Sequence, residues 1–210
     1  MKKKSVTVSG NFTFSNHFLA TNIAHKISTL TECNAPGLSS ERYKWINRFL
    51  LNAAFIVRLP SKDKALFFNL VRRVEGAYTT YNLARTALVE YISSPQNTIS
   101  PYFRALLHYE VCIAQIYQGA ELLSKVNETN VFEKGDGSLL ERIHKIYVDS
   151  KHMDEMIDGG KTPNKATVAI WLTNEGIESA RASITYDELA STLRNLNNVA
   201  KEAATITPSK

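Results

Sequence analysis

The sequence predicts an all-α protein, an antiparallel bundle of about six helices with a small β-hairpin just before the last of them. Three observations predict it. Glycine (9) and proline (6) are scarce among 210 residues, so the turns an all-β fold needs are missing. Apolar residues recur at i, i+3, i+4 and i+7 over long stretches. A hydrophobic share of 44% with 21% charged residues suffices for one core and is too apolar for a disordered chain.

Taken in order, residues 1–15 read as a flexible or extended start, and residues 16–210 as a single domain. A first helix is expected over about 16–30, ended by the breakers Asn34, Pro36 and Gly37. A second, about 41–59, is apolar on nearly every face from Phe49 to Val57 and is therefore expected at the centre of the bundle. Pro60 separates it from a long third helix, about 62–92. There Phe67, Leu70, Val71, Val74, Tyr78, Tyr81 and Leu88 form the stripe, and Gly76 marks a close crossing or a bend. Pro101 suits the first turn of a fourth helix, about 101–126. Ser138 and Glu141 form a capping box that opens a fifth, about 139–157, closed by Gly159 and Gly160. The period then changes to two. Residues 167–172 and 177–184, flanking Asn174-Glu175-Gly176, read as the hairpin, and Trp171 or its neighbours are expected to pack it onto the bundle. Thr185 and Glu188 form a second capping box for the last helix, about 186–204.

Charge and cysteine narrow the function classes. The net charge of +5 permits contact with nucleic acid or acidic surfaces, but Lys2, Lys3 and Lys4 supply three of those charges from the end of the chain. No continuous apolar run follows these lysines, so no secretory leader and a cytoplasmic location are expected. No stretch approaches the roughly 18 apolar residues of a membrane span, and no membrane association is expected. Cys33 and Cys112 match no metal or disulfide framework, and Cys112, between Val111 and Ile113, reads as a core thiol. Phosphate-loop, nucleophile-elbow, zinc-protease and di-iron patterns are absent, and no cofactor or metal is expected. Arg104 and His108 share a helix face at i, i+4 and read as an ordinary surface or core-edge pair.

One segment stands apart. Residues 142–152 place Arg142, His144, Lys145, Tyr147, Asp149, Lys151 and His152 on three helical turns. Asp149 and His152 are i, i+3 neighbours, so the carboxylate is expected to orient the imidazole and favour its charged form. Tyr147 lies about 140° around the helix from His152, so the two flank a face. A plain amphipathic helix, with Leu139, Ile143, Ile146 and Met153 inward and its charges solvated, is the competing reading.

Three blocks carry a resemblance to a group of small uncharacterised bacterial proteins. They are Val131-Phe132-Glu133-Lys134-Gly135-Asp136-Gly137-Ser138, then the stretch from Tyr147 to Ser150-Lys151-His152. The third is VAIWLTNEG from Val168 to Gly176, with Ile184-Thr185-Tyr186-Asp187-Glu188-Leu189 after it. With the bundle and the His-ending helix, the chain resembles the wider HEPN superfamily. Its members are often metal-independent ribonucleases or nucleotide-binding partners in toxin–antitoxin, mobile-element and phage-defence systems. The resemblance implies His152 as the catalytic imidazole, able to take and give protons near neutrality, with Asp149 as its orienter. It implies Arg142 and Lys151 as phosphate contacts and Tyr147 as a further substrate contact. It also implies a homodimer that brings two sites together, with RNA or a nucleotide as ligand. The family's arginine position holds Tyr147, its polar position Val148, and Arg142 is roughly 15 Å upstream along a helix. The alternative is a non-enzymatic module that dimerises or docks a partner protein.

Overall fold

The computed structural model describes residue 27 and residues 29–38, 45–55, 61–93, 99–162 and 168–205. The expected N-terminal segment and most of the first expected helix lie outside the described residues. Six helices are described: α1 (Trp45–Phe55), α2 (Ser61–Ser93), α3 (Ser100–Asn127), α4 (Leu139–Lys151), α5 (Met153–Asp158) and α6 (Tyr186–Thr205). Between α5 and α6 lie β1 (Ile170–Leu172), β2 (Gly176–Ser179) and β3 (Ser183–Thr185).

The two longest helices form the spine. Arg73 meets Gln115, Tyr81 meets Tyr109, and Tyr91 meets Tyr102, so α2 and α3 run antiparallel along most of their length. Leu70, Val71, Val74, Tyr81 and Leu88 are fully or almost fully buried, as their spacing predicts. Gly76 is where α3 comes close: a Cβ there would lie 3.2 Å from the Gln115 side chain. Across this spine lies α6, buried through Leu189, Leu193, Leu196 and Ala200. α1 packs on both α2 and α6, held by Trp45 Nε1 donating to Asn197 Oδ1 at 2.7 Å and Ile46 N–H donating to Glu75 at 2.8 Å. Its expected all-round burial is not found. Phe49 faces the core, but Leu50 and Leu51 are 49% and 61% exposed, because α1 lies on the outside of the α2–α6 pair.

The expected hairpin is a three-stranded antiparallel sheet in the order β1-β2-β3. Its first turn falls where expected, with Leu172 paired to Ile177 across Thr173-Asn174-Glu175-Gly176. The single second strand expected over 177–184 instead folds back between Ser179 and Ser183. Ser179 N–H donates to the Ala182 carbonyl at 2.8 Å, while the Ser179 hydroxyl accepts from the N–H groups of Arg181 and Ala182. A serine closing a turn on its own backbone replaces the Gly or Pro that would have announced it. Ile170, Trp171, Leu172, Ile177 and Ile184 all join the common core, which is what stabilises so small a sheet.

Tyrosine hydroxyls tie this sheet and the 29–38 segment to the spine. Tyr81 donates to the Pro36 carbonyl at 2.9 Å, Tyr91 to the Ile27 carbonyl at 3.1 Å and Tyr186 to the Thr173 carbonyl at 3.1 Å. Tyr102 accepts the Leu172 N–H at 3.1 Å. The β1–β2 turn then holds the 31–34 backbone, with Asn174 Oδ1 accepting from Thr31 and Glu32 and Glu175 accepting from the Asn34 amide at 2.8 Å. The tryptophan-to-glycine block that carries part of the resemblance is therefore a structural tie.

Candidate functional site

Helix α4 presents the segment the sequence singles out. It starts at Ser138, whose hydroxyl accepts the Glu141 N–H at 3.2 Å. The return half of the expected capping box goes elsewhere. Glu141 accepts the N–H groups of Gly135 and Gly137, both at 2.8 Å, and Asp136 accepts those of Ser138 and Glu133. Gly135 and Gly137 have φ of +88° and +68°, which turns their N–H groups toward the carboxylate. Those hydrogen bonds, with Lys145 beside them, hold the Glu141 carboxyl below the usual carboxylate range.

The continuous helix expected over 139–157 is broken. α4 stops at Lys151, His152 takes φ −109° and ψ 41°, and α5 starts afresh. Two expectations fall with it. Met153, expected inward, is 41% exposed, and Met156 is buried instead. The Asp149–His152 pair also does not form. His152 sits partly exposed at the break, its Nδ1 3.2 Å from Glu155. Asp149 continues the inward stripe of Ile143 and Ile146 and is fully buried against the sheet. Its partner is Arg181 on the β2–β3 turn, with Nη2 2.5 Å from Oδ1. That contact is an ion pair off the N–H axis, and neither Asp149 oxygen receives an aligned hydrogen bond.

Arg142 is not free for a phosphate either. Its guanidinium straddles Glu188 of α6 with contacts of 2.6 and 3.1 Å and donates to the Ser183 carbonyl at 2.9 Å. Glu188 completes the second capping box as expected, accepting from Thr185 N–H at 2.9 Å while its own N–H donates to the Thr185 hydroxyl. Arg142 holds the Glu188 carboxyl below its ordinary range, and Glu188 raises the guanidinium in return. Of the five residues to which the resemblance gives a site role, only Tyr147 and Lys151 are brought together as a surface pair, the Lys151 ammonium 5.9 Å from the Tyr147 ring centre.

That pair belongs to a larger arrangement. Tyr147 stacks on Tyr117 of α3 with ring centres 5.2 Å apart and planes at 27°. Tyr117 also meets His144 at 4.8 Å, and His144 meets Phe132 at 5.1 Å. The result is a ladder Phe132–His144–Tyr117–Tyr147 along the α3–α4 seam. Burial, then the neighbouring Arg181, push the His144 imidazole below its usual value. Burial, with Glu121 beside it, pushes the Tyr117 phenol up to about 12. Arg73 of α2 hydrogen-bonds Gln115 of α3 at 3.1 Å and is within electrostatic reach of Tyr147. Glu110 of α3, half-buried and bonded to Ser150, has its carboxyl pushed up by burial.

Sequence reasoning missed Tyr117, Phe132, Arg73 and Arg181 as members of this face. The i, i+3 spacing of His144 and Tyr147 is the one local signal for it. The others come from separate elements. Chemically the face offers aromatic rings beside cations, without a nucleophile hydrogen-bonded to an oriented base. Among the described residues no group of three or more His, Cys, Asp or Glu is placed to hold a metal, and no helix is long and apolar enough to cross a membrane. No protein-family model, curated protein or solved structure matches the chain.

Proposed function

We propose that this protein is a HEPN-like helical module that binds RNA or a nucleotide without cleaving it, in a toxin–antitoxin, mobile-element or phage-defence setting. The observation that carries the binding is the Tyr147–Tyr117 stack with Lys151 over its outer ring and Arg73 nearby. Stacked aromatics flanked by cations are the standard means of holding unpaired bases and their phosphates. Three features support the reading without cleavage. A tyrosine stands at the arginine position, Asp149 is turned inward to Arg181, and Arg142 is engaged by Glu188. The defence setting rests on the sequence resemblance alone.

The test is fluorescence anisotropy with a labelled single-stranded RNA at low salt, alongside an RNA cleavage assay. Tyr147→Ala is expected to weaken binding by about 1–3 kcal/mol, the usual worth of one base–aromatic stack. Lys151→Ala is expected to weaken it less, and His152→Ala not at all. Absence of saturable binding ends the proposal, and cleavage abolished by His152→Ala restores the nuclease reading.

The second reading is a docking or dimerising module, favoured by Leu107 and Val111 on α3 and Met153 and Ile157 on α5, all large, apolar and exposed. Light scattering decides it: a dimer that Leu107→Asp or Met153→Asp dissociates supports this reading, and a monomer at all concentrations removes the homodimer.

A further inference from the structure

A pocket of about 380 Å³, which shares no lining residue with the aromatic ladder, lies between the C-terminal end of α3, the 128–138 connection, the start of α4 and α6. None of the described residues that line it is charged, in a chain whose net charge is +5. Its lining is graded. Ala120 and Leu196 are buried, and Leu123, Leu139 and Leu140 are partly so. Asn127, Thr129, Asn130 and Asn195 are the exposed residues at its mouth.

The polar groups divide as well. The hydroxyls of Ser124 and Thr192 are spent on carbonyls of their own helices, Glu121 and Glu188. The three asparagine amides have no partner among the described residues. Each offers a donor and an acceptor, so together they match a neutral group that also does both. A volume of this size is within the range of small-molecule sites and too small for a helix.

We infer that this pocket binds an uncharged small molecule with an apolar body and one amide-like hydrogen-bonding end. The apolar body lies on the leucine floor, and the polar end meets the asparagines at the mouth. An ion of the same shape is disfavoured because no described lining residue offers it an opposite charge, whereas a neutral amide finds both donors and acceptors in the asparagines. The site is distinct from the aromatic ladder and does not rest on RNA binding.

Three probes of one chain length test the charge rule on the full protein: octanamide, octanoate and octylammonium, followed by titration calorimetry and thermal unfolding. Octanamide is expected to bind one-to-one and raise Tm, with both ions weaker by about tenfold or more. Leu139→Trp, which fills the floor, is expected to abolish octanamide binding while keeping the helical circular dichroism. Val131→Phe serves as the second filling variant if Leu139→Trp does not fold. Ions binding as well as octanamide, octanamide binding that survives a folded filling variant, or no octanamide binding at all would each overturn the inference.

Discussion

Asp149 shows how much a single position is decided by what lies across from it. It stands on the same face as Ile143 and Ile146, so its inward direction is readable from spacing alone. That it meets Arg181 is not readable, because the arginine arrives from a turn 32 residues away, 181 less 149. Arg181→Ala is expected to destabilise the fold by roughly 2 kcal/mol in urea unfolding, since it strands a buried carboxylate; the half-exposed arginine keeps the cost below that of a fully buried pair. Asp149→Asn removes the buried charge itself and leaves only the half-exposed Arg181 without its partner, and it is expected to cost less. Equal and negligible losses for both would show that the pair is indifferent to stability. The same reasoning explains His152: its expected role depended on a continuous helix, and the break at His152 gives it Glu155 instead.

At the scale of elements, two strong local signals behave differently. Thr185 and Glu188 close a full capping box, and Glu188 also anchors Arg142, so one carboxylate joins α4 to α6. Its folded-state carboxyl is depressed, chiefly by Arg142. The stability it contributes is therefore present above its ordinary value of 4.5 and lost as pH falls below that value through the folded one. Thermal unfolding across pH 3–6 is expected to fall more steeply for the wild type than for Glu188→Gln, about as expected for one titrating carboxylate. Parallel curves would remove Glu188 from the account. Gly176 is the matching case in the sheet. A Cβ there would lie 2.0 Å from the Ile184 carbonyl oxygen, so the β2 and β3 backbones touch at that point. Gly176→Ala is expected to cost on the order of 3 kcal/mol or to leave the sheet undocked, measured by urea unfolding and by the tryptophan emission of Trp171. An unchanged midpoint would show that the strands can separate freely. Ser138 and Glu141 look equally diagnostic in sequence, yet Glu141 turns to two glycine N–H groups because both have positive φ.

For the whole molecule, the proposed RNA contact predicts a salt dependence set by few cations. Lys151 lies over the ring stack, Arg73 is within electrostatic reach of Tyr147, and Lys145 is paired with Glu141. With two phosphates contacted, log affinity for single-stranded RNA is expected to fall with log salt at a slope of roughly −1.4. A slope several times steeper would mean that the main contact surface is elsewhere. The bundle itself was legible: α2, α3 and α6 fall within about one residue of the ends their stripes and caps predict. Packing of the sheet onto the bundle through Trp171 or its neighbours also follows from the instability of a lone hairpin, and Ile170, Trp171 and Leu172 are all buried.

Helix periods, caps and breakers are local, and so the residues themselves set out a helical protein with a β insertion before its last helix. The face on α4 was located locally too, as a run of His, Tyr, Lys and Asp. Its chemistry was settled by long-range contacts: Tyr117 from α3, Glu188 from α6 and Arg181 from the sheet each claim one of its side chains. Spacing along one helix states which residues share a face, and nothing in that spacing names the neighbour the face will meet.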